Sequence, residues 1–141
     1  MKPHVLLRAA SVLTFVHAAL HTFGGLLRAP MHGPREVELL NAMKAFQFDA
    51  MGSLRTYWDF YMGFGLFVSI GLVLQAVLMW QLASLVKVDP SKARPLIASL
   101  CLAFIAIAVL SWAYFFIAPL ATELLIAVLL GVAYVLARPA A

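Results

Sequence analysis

Cysteine is almost absent from this chain. Cys101 is the only one and lies inside an apolar run. A single thiol excludes an intramolecular disulfide, a dithiol redox pair and a cysteine-rich zinc site, and Cys101 reads as a small buried hydrophobe. Charge is equally scarce. Charged residues make up 11% of the sequence against 65% hydrophobic, where a water-soluble domain carries about 25% charged residues. So few charges cannot clothe a water-facing surface, which excludes an ordinary soluble domain and points to lipid as the solvent of the exterior. Glycine- or serine-rich linkers, low-complexity tracts and internal repeats are also missing. The net charge is +4, but the basic residues are scattered at the ends of apolar runs. No contiguous basic face exists to track phosphates, which excludes nucleic acid as a partner.

What remains is a set of long apolar stretches. A bilayer crossing needs about 20 mostly apolar residues to cover about 30 Å. Four stretches meet that condition, at about residues 6–27, 57–86, 95–118 and 119–138. The chain is therefore expected to be all-α: an integral membrane four-helix bundle forming one domain over residues 1–141. The N-terminal stretch is longer than a signal-peptide core and carries two histidines, so it reads as the first span rather than a cleaved leader. Spans three and four read as a tight hairpin around Ala118-Pro119, since proline suits a first helical turn. The only sizeable connection, 28–56, begins a helix at Gly33-Pro34 and repeats Val37, Leu40, Met43 and Phe46 against polar Arg35, Glu38, Asn41 and Lys44. That pattern predicts a short interfacial amphipathic helix at about residues 34–48. Met51-Gly52-Ser53 ends it, with Ser53 as expected N-cap of the second span.

Lys2, Arg8, Lys87, Lys92, Arg94 and Arg138 fall on one side of this arrangement, and Arg28, Arg35, Lys44 and Arg55 on the other. The six-to-four bias places both termini in the cytoplasm.

Ionisable groups within spans are functional candidates by default. His17 and His21 are four residues apart, on a stripe with Ala10, Thr14, Gly24 and Arg28. Arg55 and Asp59 share the same spacing and read as a pair, followed by Tyr61, Gly63 and Gly65. Glu123 begins the fourth span on a face with Ala127, Gly131 and Tyr134. With the termini inside, His21, Arg55, Asp59, Tyr61, Trp112, Tyr114 and Glu123 gather in the outer half, with His17 deeper. The expected site is a polar pocket there, beneath the amphipathic helix, for a small amphiphilic or lipid-like ligand. Two other classes compete: a structural or accessory subunit of a homo-oligomer or larger membrane complex, and a membrane-embedded enzyme using a His–carboxylate acid/base pair. Membrane lipids are partners under each. The histidine pair lacks an adjoining third ligand, so no metal is assigned. No catalytic residue and no cofactor are assigned either.

His21-Thr22-Phe23-Gly24-Gly25, the Phe48, Gly52, Arg55, Asp59-Phe60-Tyr61 pattern and Gly63-Phe64-Gly65 together resemble a family of small bacterial inner-membrane proteins with four spans. The resemblance covers nearly the whole chain. It implies a bacterial inner-membrane location and the four-span count; it implies no activity and carries over no residue role.

Overall fold

The computed structural model describes residues 2–138. The other positions of the expected domain lie outside the described residues. In order, the elements are α1 (Pro3–Ala19) running into a π-helical turn (Leu20–Leu26), α2 (Pro34–Ala45), β1 (Gln47–Ala50), β2 (Ser53–Thr56), α3 (Tyr57–Val88), α4 (Pro90–Tyr114) and α5 (Ile117–Leu136). Among the described residues, four helical stretches are long and apolar enough to cross a membrane: Pro3–Leu26, Tyr57–Val88, Pro90–Tyr114 and Ile117–Leu136. Proline opens α1, α2 and α4, where its missing N–H leaves no bond unmade. At 32 residues, α3 is roughly 48 Å long at 1.5 Å per residue.

The chain divides into two compact units. The first, here the core unit, joins residues 1–17 to residues 72–141. It buries Leu6, Leu7, Ala10, Met79, Ala83, Ala93, Ile97, Phe104, Ile126, Leu130 and Ala133 in one cluster. Alanines recur among these residues because a small side chain lets helix backbones approach closely. Two hydroxyls inside bond to carbonyls: Ser11 Oγ donates to the Ala76 carbonyl at 2.7 Å, and Thr14 Oγ1 to the Ala10 carbonyl at 2.8 Å. The Cys101 thiol donates to the Ala127 carbonyl at 3.4 Å, bridging α4 and α5. Two cations stack on aromatic rings, Arg8 on Trp80 at 4.6 Å and Arg94 on Tyr134 at 4.5 Å. Asp89 caps α4, accepting from the Lys92 amide. The turn between α4 and α5 falls at Phe115-Phe116, slightly before the expected Ala118-Pro119; Pro119 sits inside the first turn of α5, where it breaks nothing.

The second, here the groove unit, is Ala18–Gly71. It holds the π turn, α2, the β1–β2 hairpin and the start of α3. α2 ends at Ala45 rather than near residue 48, because Gln47–Ala50 leaves the helix and pairs with Ser53–Thr56 in an antiparallel ribbon. This ribbon is an addition to the all-α expectation.

Candidate functional site

The hairpin turns on two residues. Met51 and Gly52 both have positive φ, 55° and 87°, as a two-residue turn matched to strand twist requires. Gly52 supplies that conformation without a Cβ penalty, and its amide donates to Asp49 Oδ1 at 2.8 Å. Phe48 pairs with Arg55 and Ala50 with Ser53, so the two-residue period puts these four side chains on one face. That face and a stripe of α3 border a groove of about 370 Å³, lined by Ala50, Ser53, Arg55, Asp59, Phe60, Gly63, Phe64 and Phe67. Gly63 leaves its floor open: a Cβ built there meets nothing within 4 Å. Phe60, Phe64 and Phe67 are increasingly distant from the charged end and stay exposed, Phe67 at 71%.

The polar end is organised by the start of α3. Thr56 and Asp59 form a reciprocal cap: the Thr56 amide donates to Asp59 Oδ2 at 2.8 Å, and the Asp59 amide to Thr56 Oγ1 at 3.1 Å. Such a box satisfies two amides that the first helical turn would leave orphaned. It displaces two expectations. Ser53 does not cap α3, since it lies in β2. Arg55 and Asp59 do not form a helical i,i+4 ion pair, because Arg55 is in the strand and Asp59 is committed to the cap. The Arg55 guanidinium donates through Nη1 to the Leu54 carbonyl at 2.8 Å. The two charges nevertheless border the same groove. Tyr61 does not line it; its ring stacks on Trp58 at 5.5 Å, with Lys44 over Trp58 at 4.6 Å. The rings of Phe46, Tyr57, Phe48 and Phe60 follow one another in that order at 5.1–5.6 Å and tie the end of α2 to the hairpin and α3. Before α2, the Glu36 carboxylate gathers the His32 and Met31 amides and the His32 ring. Those bonds, the His32 amide foremost, hold it below the usual carboxylate range.

His21 belongs to the groove unit but lines no part of the groove. Its Nε2 lies 3.1 Å from the Gly65 carbonyl; a carbonyl only accepts, so Nε2 carries the hydrogen. Ser69 Oγ donates to the same oxygen at 3.1 Å, and Thr22 Oγ1 donates to Ser69 Oγ at 2.8 Å. Leu26 fills the notch beside Gly65 so closely that a Cβ there would lie 2.3 Å from its Cδ1. His21 and Leu26 are five residues apart, about 140° away from each other on an α-helix. The π turn, with the Leu27 amide bonded to the Thr22 carbonyl at 2.9 Å, brings them to one face. The same winding ends the expected small and polar stripe: Ala10 and Thr14 are fully buried and His17 and His21 half-buried, whereas Gly24 and Arg28 are exposed.

The remaining candidates belong to the core unit. His17 is half-buried near the end of its segment. Glu123 is 3% exposed and faces the Ser111 hydroxyl of α4; among the described residues its Oε2 has no hydrogen-bond partner. Trp112 and Tyr114 are among the most exposed residues, at 76% and 79%. The structure thus brings together Arg55 and Asp59, places His21 and Tyr61 elsewhere in their unit, and leaves the other four in the core unit. Residues not read from the sequence as site candidates complete the groove, among them Ala50, Ser53 (expected only as a cap) and Phe67. The signal that could have found the first two is the Met51-Gly52 turn, which folds them onto Arg55. Among the described residues, no group of three or more His, Cys, Asp or Glu could hold a metal ion. No protein-family model, curated protein or solved structure matches the chain.

Proposed function

We propose that this is a multi-pass protein of the bacterial inner membrane, with both termini in the cytoplasm, that binds a small amphiphilic, lipid-like ligand. The ligand lies in the groove between the hairpin and α3, its head at Arg55, Asp59 and Ser53 and its apolar part along Phe60, Phe64 and Phe67. One observation carries this reading: a guanidinium and an exposed aromatic ladder share one groove whose floor is a glycine. Arg55 has four N–H donors beyond the one it spends on Leu54, and exposed aromatic side chains accept an apolar chain at little conformational cost. His21, Thr22 and Ser69 hold the π turn against α3.

Occupancy by lipid after detergent exchange, measured on the full chain by native mass spectrometry, tests the assignment. Gly63→Leu adds a side chain that begins in open space on the groove lining, so it takes up groove volume. The bound fraction is expected to fall at least fivefold. Unchanged occupancy in Gly63→Leu would remove the groove as the binding site.

A further inference from the structure

The charged end of the groove carries both signs, and this decides what kind of head it accepts. Arg55 presents a planar fork of donors that matches phosphate oxygens, and Ser53 adds a hydroxyl on the same strand face. Asp59 borders the same space. Its carboxylate accepts the Thr56 amide but has roughly four acceptor positions, so it can receive further hydrogens. No ion pair joins Arg55 to Asp59; the ion pairs among the described residues are His32–Glu36 and Lys92–Asp89. Each charge is therefore open to a ligand charge of opposite sign.

Taking the groove as the ligand site, we infer that its ligand is a zwitterionic phospholipid with a primary ammonium group, phosphate on Arg55 and Ser53 and ammonium on Asp59. A head with phosphate alone would satisfy Arg55 and face the Asp59 carboxylate with like charge. A trimethylammonium head would bring the right charge but no N–H to donate, and the groove offers phenylalanine edges and faces rather than a closed aromatic cage. A primary ammonium supplies three donors to a carboxylate that has acceptor positions to spare. The acyl chain follows α3 from Asp59 past Phe60 and Phe64 to Phe67, roughly 12 Å of helix. A soluble phosphoamine would leave these exposed rings uncovered, which is why the observations favour a lipid.

The test is competitive retention on the full, detergent-solubilised chain, with phosphatidylethanolamine, phosphatidylcholine and phosphatidylglycerol of identical acyl chains. Wild type is expected to retain the ethanolamine lipid at least fivefold over either of the others. Asp59→Asn keeps an oxygen for the Thr56 amide and replaces the charge and the other acceptor oxygen by an amide donor. It should reduce the ethanolamine-over-choline preference to under twofold and raise retention of the glycerol lipid. Arg55→Gln should lower all three at least fivefold. Equal retention of the three heads by wild type, with Gly63→Leu still lowering it, would overturn the head-group inference and leave the groove standing. Retention insensitive to Gly63→Leu would overturn both. A preference that survives Asp59→Asn would place the ammonium elsewhere and also overturn the inference.

Discussion

The two units hold themselves together by different means. The core unit buries a continuous cluster from four helical segments, with Phe104, Leu7, Met79 and Ile97 essentially without exposure. In the groove unit only Ala18, Leu26 and Ser69 are buried. There the order comes from hydrogen bonds and ring contacts: the Thr56–Asp59 cap, the His21 and Ser69 bonds to the Gly65 carbonyl, and the Phe46–Tyr57–Phe48–Phe60 row. Regions with few buried apolar contacts sit at the low end of local stability, where binding loops are commonly found. The contrast teaches that one part of the molecule is built to be filled by itself, and the other has room to be filled by something else.

The largest effect expected from breaking this contrast is in the core. Phe104→Ala removes a fully buried ring and should destabilise by about 3–5 kcal/mol, measured by unfolding in mixed micelles; a loss below about 1 kcal/mol would deny the core unit its dense packing. Gly63 and Gly65 of α3 sharpen the comparison within the groove unit. At Gly65 an added methyl collides with Leu26, so Gly65→Ala should destabilise by about 1–3 kcal/mol, partly restored by Leu26→Ala. At Gly63 the space is open, and Gly63→Ala should stabilise by about 0.5–1 kcal/mol through helix propensity alone. Equal responses at the two positions would show that the π turn does not clasp α3 at Gly65.

The smallest effect lies at the α3–α4 turn of the core unit. Hydrogen bonds from Ser91 first, then the Lys92 amide, lower the Asp89 carboxyl from 3.8 to about 2. A depressed carboxylate contributes stability that is fully present above its unfolded value and is lost as pH falls through the folded one. The contribution of Asp89 should therefore fade between pH 3.8 and about 2. Carbon NMR of its side chain should find the midpoint near the lower figure, and Ser91→Ala should move it back toward ordinary values. A wild-type midpoint near 3.8 would mean the cap is not held in solution.

Much of the scaffold was legible in the sequence because uncharged runs of span length leave little choice. The four long helices begin and end within a few residues of the apolar stretches, and Gly33-Pro34 marked the start of α2 correctly. The site was less legible, for identifiable reasons. Thr56 and Asp59 spell a capping box, but Arg55 at i,i+4 from Asp59 offers a competing pattern that only the strand assignment removes. The ribbon itself consists of two four-residue strands around a turn with one glycine, too short for a clear alternation. The π turn has no periodic signature at all, since it consists of one residue more than an α turn would use. That is why the stripe through His17 and His21 could be followed from sequence as far as the turn and not beyond it. Glu123 was recognisable as a polar group in an apolar run, whereas its neighbour Ser111 required knowledge of how α4 and α5 align.

The winding at Leu20–Leu26 carries one residue more than α winding would need between the same two contacts, which its composition does not reveal. Gly24 and Gly25 stand in open space, so exchanging either for alanine leaves the spacing intact. Removing either one would leave the imidazole and the leucine four residues apart, about 40° on an α-helix, so plain α winding would still bring both to one face. The segment can thus change its spelling, and even shed that one extra letter, while the same two side chains keep their seat.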